Sequence, residues 1–273
     1  MRTKAFVWPV VVAVFAVACK KDHSSYLPPS APAPKILLQD IIEAHLPSPY
    51  YHFEYGPDSS VVKVSFDSEF TRYDVFYSGN RISEMRNNII VNHDTLRYIY
   101  DNAGRPAIIK FIDQTGFTYR HAFISYEGGH IDEIYWDRAE GNVGFLIDRE
   151  LEFDYFPDGN VKEIRERRPA VGNSPETNWK TDYDQYDNKI NVDDFALLHD
   201  GIHDHLFLLP GIKIQKNNPG KEIRTGDGIN YISDFTYTYN KDGAPLTKTG
   251  DVLFTAGQQT GQRFQTTVNY TYY

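Results

Sequence analysis

A chain of 273 residues with 28 basic and 37 acidic side chains, net charge −9, is poorly matched to nucleic acid or to an anionic membrane surface. At 41% hydrophobic and 24% charged it is globular in composition, which excludes a disordered, collagen-like or polytopic helical membrane chain. Its aromatic share of 15%, carried by 20 Tyr and 17 Phe against 2 Met, favours strands, because flat rings fit a half-buried pleated surface.

Residues 1–19 read MRTKAFVWPVVVAVFAVAC. Arg2 and Lys4 make a positive start, and the apolar run from Ala5 to Val17 is shorter than the roughly 20 residues a spanning helix needs. It suits the hydrophobic region of a secretory signal, with small residues Ala16 and Ala18 before a cleavage point. Cys19 is the single cysteine of the chain. The run Ala16-Val17-Ala18-Cys19 resembles the lipobox of bacterial lipoproteins, with Ala16 where leucine is usual. That resemblance implies removal of residues 1–18 and acylation of the Cys19 thiol, so that the partner of the mature N-terminus is a membrane, reached through acyl chains. Loss of Arg2 and Lys4 leaves a mature net charge of −11 and no cysteine for disulfides, thiolate metal sites or thiol catalysis. Lysine rather than aspartate at position 20 resembles an outer-membrane sorting address, and Cys-Lys-Lys-Asp looks like the start of Bacteroidota lipoproteins. Periplasmic and cell-surface orientations both fit.

Residues 19–35 form the acylated cysteine and a tether. Pro28, Pro29, Pro32 and Pro34 favour polyproline II over helix or sheet. The next stretch, ILLQDIIEAHL at 36–46, has a helical stripe of Ile and Leu closed by Pro47 and Pro49, which predicts a short helix against one end of a sheet.

From Tyr51 a unit recurs: an alternating aromatic strand, a Gly/Asn/Asp turn and a returning strand. The tyrosines that precede the turns are Tyr77, Tyr100, Tyr126, Tyr155, Tyr186 and Tyr239. In LEFDY at 151–155, Leu, Phe and Tyr share one face and the two carboxylates the other, as in an antiparallel sheet with one wet side. The returning strands carry apolar pairs three apart: Ile82/Met85, Ile131/Ile134 and Val161/Ile164. Strict alternation would put such pairs on opposite faces, so a β-bulge at the start of each returning strand is expected. The units resemble the tyrosine-aspartate repeats of Rhs-type proteins. They are more similar to Bacteroidota lipoprotein families of unknown function with a porin-like fold, through Tyr186-Asp187-Asn188-Lys189, Leu206-Phe207-Leu208-Leu209-Pro210-Gly211 and Lys216-Asn217-Asn218-Pro219. The resemblance spans about 51–273 and implies an architecture but no activity.

Several clusters could carry chemistry. His199, His203 and His205, with Asp200 and Asp204, could hold a divalent metal, or make a polar turn. The acidic run at Asp182, Asp184, Asp187, Asp193 and Asp194 could attract Ca²⁺, though it lacks the EF-hand pattern. Asp132/Glu133 and Glu163/Glu166 are carboxylate pairs of the kind a glycosidase requires in facing geometry. Trp179, after a long polar loop, could stack on a sugar or a partner, while Trp136 reads as core. Asp94-Thr95-Leu96 resembles a bacterial O-glycosylation acceptor, with Thr95 as the modified residue. The sequence contains no GxSxG elbow, HExxH, P-loop or Rossmann glycine pattern.

The reading is therefore an all-β domain over 36–273, an antiparallel meander of hairpins that is strongly curved or barrel-like to protect its edges, with a short N-terminal helix. It is expected to be an outer-membrane-anchored lipoprotein with a non-enzymatic binding or structural role, needing no cofactor and engaging a glycan or an envelope protein. The alternatives are an envelope hydrolase acting on glycans and an integral pore.

Overall fold

The alternating segments fold as strands, and the strands close on themselves. The computed structural model describes residues 36–89, 93–198 and 213–273. The signal 1–18, the Cys19 tether 19–35 and the cluster His199/His203/His205 lie outside the described residues. Among the described residues, sixteen strands run in chain order: β1 (Leu38–Glu43), β2 (Tyr51–Tyr55), β3 (Val61–Phe66), β4 (Thr71–Ser78), β5 (Arg81–Asn87), β6 (Thr95–Tyr100), β7 (Pro106–Ile112), β8 (Thr118–Glu127), β9 (His130–Glu140), β10 (Gly144–Tyr155), β11 (Val161–Arg168), β12 (Thr177–Asp184), β13 (Lys221–Gly226), β14 (Asn230–Tyr239), β15 (Pro245–Ala256) and β16 (Arg263–Tyr272). Sequence neighbours are sheet neighbours, and β1 pairs antiparallel with both β2 and β16, which makes a closed barrel without an open sheet edge.

The expected bulges are present in the hairpins led by Tyr77, Tyr100, Tyr126, Tyr155 and Tyr239, and in that led by Tyr55, whereas Tyr186 leads into the β12–β13 connection and not into a returning strand. Asp154 faces Glu163 but Tyr155 faces Val161, so Lys162 is the extra residue. Val62, Ser83, Ala107, Asp132 and Leu246 hold the same place in the β2–β3, β4–β5, β6–β7, β8–β9 and β14–β15 hairpins. The bulge turns residues three apart to one side, and Val61/Val64, Ile82/Met85, Ile131/Ile134 and Val161/Ile164 are all buried. The turn before β11 shows how the geometry is reached: Gly159, at φ 88°, takes a left-handed conformation that a side chain disfavours.

The same device corrects the expected N-terminal helix. Residues 38–43 are strand β1, whose pairing with β16 skips Gln39, so Leu38 and Ile41 are both buried though three apart. The stripe that reads as helical periodicity is a bulged strand, and the strand that results is the one that closes the barrel.

Tyrosines tie successive hairpins together. The Tyr77 hydroxyl donates to the Val61 carbonyl (2.9 Å), Tyr100 to Ile82 (2.7 Å), Tyr126 to Pro106 (2.8 Å) and Tyr186 to Val161 (2.7 Å). Tyr55 donates to Leu38 (2.9 Å) and Tyr272 to Pro245 (2.5 Å), so the ladder runs across the closure. In each case the acceptor is the residue that faces the tyrosine of the preceding hairpin. Tyr155 departs from the pattern: its hydroxyl is buried and has no hydrogen-bond partner among the described residues.

Candidate functional site

Sixteen strands generally enclose a lumen wide enough for water, yet much of this one is packed with described side chains. Leu96, Ile109, Ala122, Ile134, Trp136 and Leu151 line the wall with almost no exposure. The described parts of the connection between β12 and β13, residues 185–198 and 213–220, pack into the lumen as a plug. A short 3₁₀ helix, Asp194–Leu198, buries Phe195 and Leu198, and the Phe195 ring meets Tyr51 edge-on at 5.2 Å and Phe53 at 6.2 Å. On other sides of the barrel the Arg149 guanidinium donates to the Leu198 carbonyl (3.2 Å) and the Tyr270 hydroxyl to Asp193 (2.5 Å). Asp194 is buried as well, which raises its pKa, while Lys213 (3.0 Å) and the Ile214 amide (2.6 Å) oppose that shift. The plug is thus pinned by aromatic packing on β2 and by charge-assisted bonds on β10 and β16.

Beside the plug lies a cavity of about 160 Å³ whose polar lining includes Arg149, Glu166, Asp193, Glu222, Arg224 and Lys248. Its charges are paired. Arg149, 3% exposed, contacts Glu166 at 3.1 Å, and Arg168 reaches the same carboxylate at 2.8 Å. Burial pushes the Glu166 carboxyl up, but Arg149 and Arg168 outweigh it and hold the group below its usual value. Glu222 accepts the Tyr231 hydroxyl at 2.5 Å, and Lys248 stands 3.8 Å from Asp193. Trp179 is half-buried next to this region. Arg168 and Arg224 lie 5.4 and 4.9 Å from its ring, and its indole N–H donates to the Asp227 carbonyl.

A second concavity, about 440 Å³, opens at the end of the barrel that holds the tyrosine-led turns. It is formed by His130 of the β8–β9 hairpin, Asp158 and Gly159 of the β10–β11 turn, and residues 188–191 and 213–217 of the plug. Ile190 and Ile214 supply apolar surface, and Lys189, Lys213 and Lys216 supply positive charge. His130 stacks on Tyr155 at 4.7 Å, at the place where the tyrosine ladder lapses.

The residues singled out from sequence distribute unevenly. Trp136 is fully buried, as expected. Trp179 stands near the lumen cavity with arginines over its ring, a neighbourhood invisible in the sequence because Arg224 arrives from β13. Thr95 opens β6, half-buried and on the face opposite the buried Leu96. Glu163 and Glu166 do not converge: Glu163 joins Arg165 and Lys180 on the outer wall, while Glu166 points into the lumen. The acidic run also separates, since Asp182 pairs with Lys180, Asp187 accepts from Asn218 and Tyr239, Asp193 takes Tyr270, and Asp194 takes Lys213. Among the described residues no three His, Cys, Asp or Glu side chains gather as metal ligands. Sequence reasoning missed Arg149 and the plug lysines. Parity along β10 could have exposed the first, because Arg149 shares the inward face with Leu151 and Phe153.

No protein-family model and no curated protein matches the chain. Among solved structures, it is similar to a porin-like protein from Bacteroides uniformis, with TM-score 0.60 and 15% identity, over 87% of this chain and 95% of that one. A TcdB2-TccC3-Cdc42 complex matches 79% of this chain and 9% of its own, with 14% identity and TM-score 0.31. A Photorhabdus luminescens Tc holotoxin pore matches 78% of this chain and 13% of its own, with 10% identity and TM-score 0.33. The first likeness establishes the porin-like fold; the other two are too distant to add to it.

Proposed function

We propose that this chain is an outer-membrane lipoprotein whose barrel stands outside the bilayer and works by binding, without a pore and without catalysis. The observation that carries the reading is the outer wall. A membrane-spanning barrel presents an apolar band to lipid, but here Arg165 contacts Glu152 and Asp154 at 2.9 and 2.7 Å, and Glu163 as well, on the outside of β10 and β11. Arg167 bridges Glu150 and Glu176 on the same face, at 2.7 and 3.0 Å. Exposed apolar side chains lie partly in loops, as Leu46, Phe70, Phe117, Val143 and Ile229 do, and partly on strands, as Val62, Phe76, Ile99, Phe145, Leu146, Ile147, Leu246 and Phe264 do, and the ion-pair clusters of β10 and β11 interrupt that apolar surface. The plug supports the same reading from within, because it occupies the lumen that a pore would leave open.

Glycan hydrolysis is the weaker alternative. Among the described residues, each carboxylate lining the lumen cavity is committed: Glu166 to two arginines, Glu222 to Tyr231 and Asp193 to Tyr270. A glycosidase needs one protonated carboxylic acid facing a second, free carboxylate, and Glu166 is held in its charged form. A glycan or an envelope protein is the partner class that suits a tethered, acidic, non-catalytic barrel.

The test has two arms. Radiolabelled palmitate should enter the wild-type chain and not Cys19→Ser, which should leave the membrane fraction. Purified protein added to planar bilayers should give no conductance steps. Stepwise conductance would overturn the non-pore reading, and membrane retention of unlabelled Cys19→Ser would overturn the anchor.

A further inference from the structure

The turn-end cleft has a lining that the tethering role does not account for. Its lining is apolar at the exposed Ile190 and the fully buried Ile214, and cationic at Lys189, Lys213 and Lys216. Against these three ammonium groups the lining offers one carboxylate, Asp158. Lys213 is partly committed to Asp194 at 3.0 Å, whereas the ammonium groups of Lys189 and Lys216 have no hydrogen-bond or ion-pair partner among the described residues. A locally positive cleft in a chain of net charge −9 is a departure that focuses anions.

A second, independent observation falls at the same place. The tyrosine ladder is regular on the β1–β8 side and interrupted beside the cleft. Tyr155 faces Val161 as its sisters face their own partners, but its hydroxyl finds no acceptor, and His130 from the cleft wall lies stacked over its ring. Next along, Tyr186 divides its hydroxyl between the Val161 carbonyl and Gln215 of the cleft lining, at 2.7 and 2.9 Å. A buried hydroxyl without a partner costs stability. Such local departures from an otherwise consistent pattern concentrate at functional sites.

We infer that this cleft binds a phosphate or carboxylate group carried on an apolar body, with the anion between Lys189 and Lys216 and the apolar part against Ile190. The chain also enters β1 at this end of the barrel, where the Tyr273 amide donates to the Leu37 carbonyl and Tyr55 to that of Leu38. An anionic lipid headgroup and a free amphiphilic acid share the required chemistry.

Residues 35–273 form a unit closed by β1–β16 pairing, so that unit serves as the test protein, and its behaviour is independent of any acyl chain on Cys19. Titration calorimetry with dihexanoyl phosphatidic acid should show saturable binding that weakens as salt is raised. Dihexanoyl phosphatidylcholine should bind at least about tenfold more weakly, and so should the acid to Lys189→Ala/Lys216→Ala. Both lysines are exposed and unpaired, so folding is spared, and an unchanged thermal midpoint verifies this. Ile190→Ser should weaken the amphiphile and leave inorganic phosphate unaffected. Co-sedimentation with phosphatidylglycerol vesicles, against phosphatidylcholine vesicles, assigns the source: retention on the anionic vesicles points to a lipid surface, and soluble-acid binding without retention points to a free amphiphile. No binding of the acid, equal affinity for inorganic phosphate, or an unaffected double-lysine variant overturns the inference. None of these results bears on the conductance and palmitate tests.

Discussion

The tyrosine ladder makes a prediction whose sign differs between two chemically identical substitutions. Tyr126→Phe removes a hydroxyl that donates to the Pro106 carbonyl at 2.8 Å. The Pro106 residue is buried, so that carbonyl loses its side-chain donor without gaining water, at a cost of about 1–3 kcal/mol. Tyr155→Phe removes a hydroxyl that is buried and unpartnered, and the ring keeps its stack on His130. Here the deleted group is one whose desolvation folding never recovers, so the change should be neutral or stabilise by up to about 1 kcal/mol. Burial already pushes the phenols of both residues up, that of Tyr126 to about 12, so both are protonated at neutral pH and charge plays no part. Guanidinium unfolding followed by Trp136 and Trp179 fluorescence reads the difference, as does the thermal midpoint, at about 2–4 °C per kcal/mol for a domain of this size. Equal destabilisation by the two variants would refute the reasoning, because it would mean that Tyr155 has the acceptor its sisters have.

Other expectations follow from the lumen. Arg149→Met leaves the Leu198 carbonyl without its donor and Glu166 with Arg168 alone, and should cost up to about 3–5 kcal/mol, with much of it recovered in Arg149→Met/Glu166→Leu; denaturant midpoints of the single and double variants check the coupling. Glu166 sits below its ordinary pKa when folded because its arginines outweigh burial, so it contributes stability above the unfolded-state value near 4.5 that is lost as pH falls through the lowered one. Unfolding midpoints measured downward from pH 6 should therefore fall more steeply for the wild type than for Glu166→Gln, and parallel curves would contradict the assignment. Gly226→Ala should destabilise by more than about 1–3 kcal/mol and blue-shift or broaden Trp179 emission, since the new methyl would sit 2.3 Å from the Asn178 carbonyl oxygen and 2.8 Å from the Trp179 Cα at a φ of 131°.

The architecture was legible because hairpin patterning is local. A tyrosine, a glycine-bearing turn and an apolar pair three apart lie within about a dozen residues, and the bulge follows from sheet parity alone. Closure was not legible, and the reason is the same three-residue spacing. In 38–43 the buried Leu38 and Ile41 sit as Ile82 and Met85 do in β5, but without a preceding tyrosine and turn the spacing matches a helix equally well. What distinguishes the two is the partner, β16, over two hundred residues away: the Asp40 amide donates to Thr271, and Asp40 accepts from the same hydroxyl at 2.8 Å. A local pattern with two solutions is resolved only by a contact that the pattern does not contain.

The sites were less legible than the fold for a related reason. Hairpin repeats set the wall, and each strand announces its inward face by alternation, so Arg149 and Glu166 could be placed in the lumen from parity. Their meaning, however, depends on the plug, an irregular stretch with no period of its own, which brings Leu198 to Arg149 and Asp193 to Tyr270. The same stretch supplies nine of the twelve residues that line the turn-end cleft. Chemistry in this barrel therefore collects where the repeat is broken. The wall satisfies its own polar groups hairpin by hairpin, and the plug displaces that self-sufficiency: Tyr239 gives its hydroxyl to Asp187 of the plug, Tyr186 shares its own with Gln215, and Tyr155 is left without an acceptor. Those three residues sit on β10, β14 and the start of the plug, so the described parts of one inserted loop both occupy part of the lumen and line the turn-end concavity.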